Sequence, residues 1–517
     1  MSPNLSAADE LKKAVQSYNT VRNCVDKGTL CHAPENSMYF VRDGSVTACC
    51  YSREAPIGRY PDQTLSEIWN GARARSMRSA LRRNELPAGC ELCYPQIVAG
   101  NYEGFLARGF DAYAVQRDSA DITRREAVQI GVASRYPSRM EFELSNKCNL
   151  ECAMCSGQFS SSIRRNREKL PSLPEIYDDS FLEQLIHFLP HLKTASFVGG
   201  EPFLIDIYYK IWDQLASVNT NCAVSITTNG TVYNNRVQQL LQKLNCQINI
   251  SLDSVTRSTY EAIRVNARMD RTLANLDHFI DHNLRNSNPL TISVCPVILN
   301  CRELPDLVEF ANHRGIRVFF NTVTFPLSQS IRTLPSDDQY DLAHLYKSRR
   351  REANNEIEAA NWDALTGVAC QIEYWADIAR SASGENLAVE RCLSRLYEAS
   401  PGSTGLAMMH TDIISKRLHE PPEVWYTNDR PALDQLRDYY QAISTLHAAC
   451  VEEGLGLTTV HSSEDWSNLL RFLNSDVNEA KAQLILAQIR PSPLEIVRYF
   501  AETPMSTLID QTRRFTK

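Results

Sequence analysis

The sequence predicts an α/β protein built around a partial (β/α)6 barrel of the TIM type, and three features of the 517-residue chain support this prediction. Short apolar segments alternate with helix-like segments between residues 138 and 326. Five of the sixteen cysteines cluster between Cys31 and Cys93. Beyond Pro326 the pattern is mainly that of amphipathic helix. We therefore expect an amino-terminal cysteine-rich module at 1–99, a helical connector at 100–137, the barrel at 138–326 and a mainly helical region at 327–517.

The composition indicates a globular protein of the cytoplasm. Hydrophobic residues make up 43% of the chain and charged residues 22%, which is ordinary for such a protein. The formal net charge of −7 argues against a general nucleic-acid binder. We expect no membrane association, because the sequence shows neither a signal-peptide pattern nor an apolar run of the roughly 20 residues that span a bilayer. In a reducing compartment, clustered cysteines indicate metal binding rather than disulfides.

The first hundred residues contain few regular elements. A leading helix is predicted over 1–23, and Met38–Val41 followed by Asp43-Gly44 predicts a hairpin. Apolar residues at helical spacing predict one helix over Leu65–Arg83.

The barrel prediction depends on six strand segments that are separated by helical ones such as Ser180–Leu189 and Leu304–His313. This alternation predicts a parallel sheet with crossover helices, curved into part of a barrel. Functional side chains should then lie at the carboxyl ends of the strands. The predicted strands are Met140–Leu144, Ala195–Val198, Ala223–Thr227, Gln247–Leu252, Thr291–Ile298 and Arg317–Thr322.

A cysteine-rich loop directly follows the first of these strands. Residues 146–157 read NKCNLECAMCSG and contain Cys148, Cys152 and Cys155. Thiolates favour iron–sulfur clusters or zinc. A cubane cluster held by three cysteines leaves one iron open to a substrate or cofactor. The alternative is a zinc site completed by His187, His191 or a distant cysteine.

Polar or glycine-rich motifs end the next strands. Gly199-Gly200-Glu201 follows the second, where the glycines would let a ligand approach the backbone and Glu201 could accept from an ammonium group. Because the ends of parallel strands meet at one edge of a sheet, motifs at successive ends indicate a single site. The other strand-end motifs are Thr227–Thr231 with Asn229, Ser251–Ser254, the Arg264 that lies thirteen residues after Ser251, and Asn300.

Together these motifs resemble those of the radical S-adenosylmethionine (SAM) superfamily over about residues 138–325, with CNLECAMC and GGEP as the specific signatures. The resemblance implies a 4Fe–4S cluster on Cys148, Cys152 and Cys155, whose open iron binds the amino and carboxylate groups of SAM. It also implies that an electron passed through the cluster cleaves SAM to methionine and a 5′-deoxyadenosyl radical, which abstracts hydrogen from a substrate. The implied SAM contacts are Gly199, Gly200 and Glu201 to the amine, Arg264 to the carboxylate, Ser251 and Asn229 to the ribose or other polar groups, and Met154 to the adenine.

A second cysteine pattern precedes the barrel. Cys31, Gly44 and Cys49 form C-x12-G-x4-C, and Cys90 and Cys93 form C-x2-C. Four thiolates can hold zinc or every iron of a cubane, and the spacing does not separate the two. Cys50 is an alternative to Cys49, although neighbours in a strand point to opposite faces. The pattern resembles the twitch half of the SPASM domain, which implies an auxiliary 4Fe–4S cluster, although in better-known members this module follows the barrel.

The leading functional hypothesis is oxidative modification of a ribosomally made peptide, with a flavodoxin or ferredoxin as electron donor. The alternative within the same class is a dehydrogenase or epimerase of a sugar, an aminocyclitol or another small polar metabolite. A redox-neutral reaction would need a hydrogen donor, and the thiols of Cys295 or Cys301 could serve. A hypothesis from another class is a non-catalytic zinc-binding scaffold.

Overall fold

The chain forms two compact units in a computed structural model. The first comprises Met1–Cys295, Arg302–Asn321 and Arg350–Gly367, and the second comprises Pro296–Cys301, Thr322–Arg349 and Val368–Lys517. The structure describes residues 7–53, 55–90, 93–98, 102, 105–114, 136–286, 288, 290–323, 329–381, 384–400, 403–417, 431–453, 461–490, 497, 499, 500, 505, 508 and 509.

One nine-stranded sheet organises the first unit, in the order β3-β2-β1-β4-β5-β6-β7-β8-β9. Strands β4 to β9 are all parallel and alternate with helices, which confirms the predicted six-stranded (β/α) unit. The nine strands are β1 Ser37–Val41, β2 Ser45–Thr47, β3 Gly58–Arg59, β4 Arg139–Glu143, β5 Thr194–Phe197, β6 Ala223–Thr228, β7 Cys246–Ser251, β8 Leu290–Val294 and β9 Arg317–Phe320.

The predicted hairpin continues the sheet of the barrel, a feature that the sequence did not reveal. β1 pairs antiparallel with β2, as predicted, but it also pairs in parallel with β4. In that register Tyr39 lies opposite Glu141 and Val41 lies opposite Glu143. The cysteine-rich segment and the barrel therefore share backbone hydrogen bonds next to the first barrel strand.

Two local predictions need correction. Leu65–Arg83 forms two helices, Leu65–Trp69 and Ala72–Arg82, because Gly71 has extended backbone angles and caps the second helix. β8 ends at Val294 rather than at residue 298, because the Cys295 amide donates to the Asp253 carboxylate at 2.7 Å.

Most helices lie between strands or in the second unit. Leu304–His313 has the predicted bounds, whereas the predicted helix over 180–189 is observed as Asp179–Leu185. In the predicted connector, Leu106–Tyr113 is a 3-10 helix and residues 115–135 lie outside the described residues. The remaining α-helices are Ala7–Val21, Ala33–Asn36, Tyr94–Val98, Ser161–Asn166, Asp206–Val218, Asn235–Lys243, Arg257–Ile263, Met269–Asn286, Ser336–Ser348, Glu356–Ser381, Gly384–Ala399, Thr404–Arg417, Ala432–Glu452, Ser463–Asp476 and Glu479–Ile489.

The two faces of the parallel sheet differ in chemistry. On one face the side chains are apolar and buried, and helices pack there; Phe197, for example, lies 5.1 Å from Tyr208 and 5.2 Å from Trp212 between ring centroids. The opposite face is polar and most of its side chains are partly exposed, unlike the tightly filled core of a complete TIM barrel. Its members are Glu141, Ser196, Ser225, Thr227, Gln247, Asn249, Ser251, Thr291 and Ser293.

The second unit is mainly helical and has its own hydrophobic core. That core includes Leu393, Leu436, Ile443 and Leu469, all fully buried. Among the described helices, none is long and apolar enough to cross a membrane.

Candidate functional site

The NKCNLECAMCSG loop follows β4 and is held by hydrogen bonds at both ends. The Asn146 side chain donates to the Gly157 carbonyl at 2.8 Å, and the Ser161 amide donates to the Asn146 carbonyl at 2.7 Å. The Ala153 amide donates to the Ile263 carbonyl at 2.8 Å, which fastens the loop to the segment after β7. These contacts fix the loop at the carboxyl edge of the sheet, as the strand-end argument predicted.

The three loop cysteines are thiols in a water-poor environment. Burial raises the pKa of Cys148 to about 11, and burial also raises the pKa of Cys152 and Cys155. Such thiols ionise when a bound metal supplies positive charge. The Ser156 hydroxyl, directly after Cys155, is buried and has no hydrogen-bond partner among the described residues. A polar atom of this kind suits a bound group beside the loop.

The spacing of the sulfur atoms argues against a single zinc ion. Four thiolates around tetrahedral zinc at about 2.3 Å lie about 3.8 Å from one another. Among the described residues, neither predicted cysteine set contains three sulfurs that are mutually within 4.8 Å. A cubane holds each cysteine on a different iron and so separates the sulfurs further. Both sets therefore fit a cluster better than zinc.

The two glycines of the GGEP motif accommodate the backbone of the cysteine loop. Gly199 has φ +111°, and a Cβ at Gly200 would lie 2.3 Å from the Lys147 carbonyl oxygen. The Gly200 and Glu201 amides donate to the Ser145 and Lys147 carbonyls at 3.0 and 2.8 Å. The sequence argument assigned these glycines to ligand approach, whereas the described contacts assign them to approach of the loop that carries Cys148.

Gly200→Ala is expected to lower the free energy of unfolding of the cluster-free protein by about 1–3 kcal/mol, because the added methyl meets backbone that no rotamer change can move. Urea denaturation measures the change. The matched control is Gly367→Ala, where the described structure has no atom of another element within 4 Å of the added Cβ. There we expect unchanged or slightly higher stability. Equal losses in both variants would contradict the assignment.

Glu201 holds the end of β6 rather than pointing freely into the site. Its carboxylate is fully buried and accepts from the Asn229 amide at 2.7 Å, the Thr228 hydroxyl at 2.8 Å and the Phe203 amide at 3.1 Å. Burial outweighs these donors and raises the pKa of Glu201 to about 7. A nearby cation, such as an ammonium group, would lower this pKa and restore the charge.

The raised pKa of Glu201 predicts a pH dependence of stability. Between about pH 5 and pH 8 the folded, ligand-free protein binds this proton more tightly than the unfolded chain. The free energy of unfolding should therefore fall as pH rises, by on the order of 3 kcal/mol at this residue. The Glu201→Gln variant should lack this contribution to the decrease of the free energy of unfolding with pH. Denaturation of cluster-free wild type and variant at several pH values tests this, and parallel curves would contradict it.

Asn229 and Arg264 lie beside the loop thiols. The Asn229 side-chain amide is 4.0 Å from Cys148 Sγ and donates to the Asn149 side chain at 3.0 Å. Arg264 Nη1 is 3.7 Å from Cys152 Sγ, and Arg264 Nε donates to the buried Asp253 carboxylate at 2.5 Å. Burial disfavours the charged form of Arg264, yet the neighbouring Asp253 carboxylate keeps the pKa of Arg264 above its ordinary range.

Four further residues were predicted to belong to the site, and the structure places each of them. Ser251 ends β7 on the polar face, and Met154 lies in the cysteine loop with its side chain partly exposed. Cys295 follows β8 next to Asp253, and burial raises the pKa of its thiol to about 12. Cys301 belongs to the second unit, where its thiol donates to the Ile298 carbonyl at 3.2 Å. The structure thus brings Cys295 to the surroundings of Arg264.

The four amino-terminal cysteines line one mostly apolar cavity. Burial raises the pKa of the Cys31, Cys49 and Cys93 thiols. Backbone amides also point at sulfur, as Ala33 N–H does toward Cys31 Sγ at 3.4 Å. Cys49 belongs to the lining and Cys50 does not, which favours Cys49 as the ligand. The lining includes Cys31, Cys49, Cys90, Cys93, Leu81 and Phe105.

A third group of possible metal ligands consists of Cys24, His32 and Asp111, whose ligand atoms lie close enough to hold a metal ion. The Asp111 carboxylate, however, already has protein partners. Arg22 forms an ion pair with Asp111, and the Tyr18 hydroxyl donates to the same carboxylate at 2.9 Å. A carboxylate with these partners has little capacity for a cation.

Sequence reasoning missed an ionic cluster between the two cysteine sites. Glu143, at the end of β4, is buried and accepts from Arg42, Arg53 and the Tyr39 hydroxyl. Burial opposes its charge, but the two guanidinium groups lower the pKa of Glu143 to about 2. The only sign of this ionic cluster in the sequence was an acidic residue, Glu143, in a buried strand.

Comparisons with known protein families match the two cysteine segments separately. The radical SAM superfamily model matches residues 142–323, and the SPASM model, described as an iron–sulfur cluster-binding domain, matches residues 31–94. These two matches confirm both resemblances that the cysteine motifs predicted.

Similar curated proteins and solved structures cover parts of the chain. A probable GTP 3′,8-cyclase of Methanocaldococcus jannaschii is 25% identical over 37% of this chain and 61% of its own. A GTP 3′,8-cyclase of Synechococcus elongatus is 28% identical over 35% of this chain and 53% of its own. The chain thus spans between half and two thirds of these relatives. Streptococcus suis SuiB bound to S-adenosylmethionine is 16% identical with a TM-score of 0.33, covering 50% of this chain and 61% of its own.

The two matched domains account for both cysteine sets and for the predicted cofactors. These cofactors are SAM, a 4Fe–4S cluster at the SAM site and an auxiliary 4Fe–4S cluster. The prediction of an enzyme is confirmed, and the alternative of a non-catalytic zinc scaffold is not retained. The chain therefore contains a radical SAM domain over residues 142–323, and a SPASM iron–sulfur cluster-binding domain over residues 31–94 precedes it.

Proposed function

We propose that this protein oxidatively modifies a ribosomally made peptide. The observation that carries the proposal is the presence, in one compact unit, of a loop with three cysteines and a separate cavity lined by four cysteines. When bound, SAM and its cluster supply a 5′-deoxyadenosyl radical that abstracts hydrogen from the substrate. A net two-electron oxidation must also dispose of a second electron, and a fully ligated auxiliary cluster is suited to accept it. A flavodoxin or ferredoxin is the proposed donor of the first electron.

The polar groups around Cys148 and Cys152 support the proposed SAM contacts. Arg264 offers a buried positive charge near Cys152 for a carboxylate, and Asn229 offers an amide near Cys148. Glu201 prefers a cationic neighbour because its buried carboxylate has a raised pKa. These three groups match the carboxylate, polar and ammonium parts of an amino acid such as the methionine portion of SAM.

Two features favour a peptide substrate. The polar face of the parallel sheet offers neutral hydroxyl and amide groups, including Ser225, Thr227 and Asn249, which can pair with peptide amides. The second unit is a helical body with its own core, beyond what two clusters and SAM require. We assign to it the recognition of substrate residues remote from the reacting atom.

The same polar face also supports a second candidate, a sugar or aminocyclitol substrate. Hydroxyl and amide side chains recognise sugar hydroxyls as well as peptide amides. The Cys295 thiol beside the Asp253–Arg264 pair adds a hydrogen donor that an epimerase would need. The similarity to GTP 3′,8-cyclases lies within one domain and does not decide the substrate.

The deciding experiment measures 5′-deoxyadenosine formation by the anaerobic, cluster-loaded protein. Synthetic peptides encoded by short reading frames beside this gene are compared with glucose, myo-inositol and an aminocyclitol. We expect one deuterated peptide to raise the rate and to transfer deuterium into 5′-deoxyadenosine. Stimulation by a labelled sugar or cyclitol alone would instead support the second candidate.

The proposed role of the auxiliary cluster has its own test. Cys90→Ala should lose product at saturating SAM while it retains 5′-deoxyadenosine formation, because the electron acceptor is lost and the SAM site is not. Cys50→Ala is the matched control, since Cys50 adjoins the ligand set without lining the cavity. Full product turnover by Cys90→Ala, with iron reduced to about four atoms per chain, would remove this role.

A further inference from the structure

A single side chain, Arg53, spans the distance between the two cysteine sites. Its Nε donates to the Cys50 carbonyl at 3.2 Å, next to Cys49 of the auxiliary set. Its two terminal nitrogens form a bidentate pair with the Glu143 carboxylate at 3.1 and 2.5 Å. Glu143 lies five residues before Cys148 in the chain. Arg53 thus contacts the backbone beside one set and the strand that leads into the other.

A second contact joins Arg53 to the far end of the SAM-cluster loop. Its guanidinium carbon lies 5.7 Å from the ring centroid of Phe159, and that of Arg42 lies 4.7 Å from the same centroid. Phe159 is the fourth residue after Cys155. Cations near an aromatic face are attracted to it, and the attraction strengthens where water is excluded. The cysteine loop is therefore flanked on both sides by groups that Arg53 touches.

The connection has little freedom to relax. Glu143 and Tyr39 are each 3% exposed, and they lie on the paired strands β4 and β1. The Tyr39 hydroxyl donates to Glu143 at 2.7 Å and accepts from Arg53 at 2.7 Å. A buried carboxylate tolerates loss of its cationic partner poorly. Arg53 supplies two of the hydrogen bonds to Glu143, and Arg42 and Tyr39 supply the others, so a shift of Arg53 alters the contacts that hold the end of β4.

The auxiliary cluster would control where Arg53 lies. Arg53 directly follows the turn Cys49–Ser52, in which the Ser52 amide donates to the Cys49 carbonyl at 3.2 Å. The Cys49 amide donates to the Ser52 hydroxyl at 3.2 Å. A metal bond to Cys49 fixes the start of this turn, and its loss frees the turn and the guanidinium attached to it.

We propose that Arg53 is a positioning residue that couples the auxiliary-cluster site to the SAM site, so that an occupied auxiliary site strengthens SAM binding. The coupling rests on the amino-terminal placement of the module, because β1 pairs directly with β4 and brings Arg53 to Glu143. It does not depend on the identity of the substrate, and its test contains no substrate.

The test is a four-protein cycle of wild type, Cys90→Ser, Arg53→Leu and the double variant, each anaerobically reconstituted and assayed for iron. Equilibrium SAM binding and the EPR spectrum of the reduced SAM-site cluster are measured. We expect Cys90→Ser to weaken SAM binding by about fivefold or more when Arg53 is present, and by less than about twofold in the Arg53→Leu background. The SAM-dependent change in the EPR spectrum should follow the same pattern.

Arg59→Leu is the matched control, since Arg59 lies in β3 of the same module and its guanidinium contacts the exposed Asp43 carboxylate and the Ser45 hydroxyl, each at 3.4 Å. It should leave the fivefold effect intact. If Arg53→Leu does not fold, Phe159→Leu replaces it, because that variant keeps the ion pairs and removes the ring beside the loop. An equal effect of Cys90→Ser in both backgrounds, or no effect on SAM affinity in an otherwise wild-type chain, would overturn the proposal.

Discussion

Replacement of Cys152 by alanine is expected to reduce 5′-deoxyadenosine formation to the level of a protein-free control. Cys152 is one of only three thiols in its loop and is 7% exposed. Its loss would leave two ligands for a cluster that already has an open iron. The buried guanidinium of Arg264 would also lose the sulfur that lies 3.7 Å away. The measurement is chromatography of anaerobic mixtures with SAM and dithionite.

Iron analysis separates this result from general unfolding. The Cys152→Ala protein should retain about four irons per chain, against about eight in the wild type, because the auxiliary cysteines form a separate set. Cys370→Ala is the control, since Cys370 is an exposed cysteine of the second unit. Product at wild-type rates from Cys152→Ala would exclude the loop as the SAM-cluster site.

Most barrel strands were predicted well because short-range residue patterns mark where each strand begins and ends. β4, β5, β6, β7 and β9 lie within two residues of the predicted bounds, since apolar runs and turn residues mark them. β8 was predicted four residues too long, because the chain leaves the sheet where Cys295 N–H bonds to Asp253, 42 residues away. No local pattern contains that contact.

Long-range pairings escaped prediction for the same reason. The register between β1 and β4 joins residues about 100 positions apart, and it creates the Glu143 cluster with Arg42 and Arg53. The sequence marked the GGEP glycines as a point of close approach. Only the structure shows that the group approaching Gly200 is the backbone of Lys147. Cysteine spacing was more informative, because four residues from distant segments do line one cavity.

The Asp253→Ala variant is expected to show the largest loss of stability, about 3–5 kcal/mol, because it leaves a buried guanidinium without its counter-charge. Asp253 is fully buried and accepts from both Arg264 and the Cys295 amide. Urea denaturation of the cluster-free protein measures the change. Asp253→Asn should lose less, since an amide oxygen can still accept from one of the two donors.

A double variant tests whether the unpaired charge is the cause. Asp253→Ala combined with Arg264→Met removes the charge together with its partner and should recover part of the lost stability. Asp270→Ala, which removes an exposed partner of Arg257, should leave stability unchanged. If the double variant is no more stable than Asp253→Ala, the pair does not act as a charge-compensated unit. Recovery of stability without recovery of SAM cleavage would show that the Asp253–Arg264 pair is needed beside Cys152 for the reaction and not only for folding.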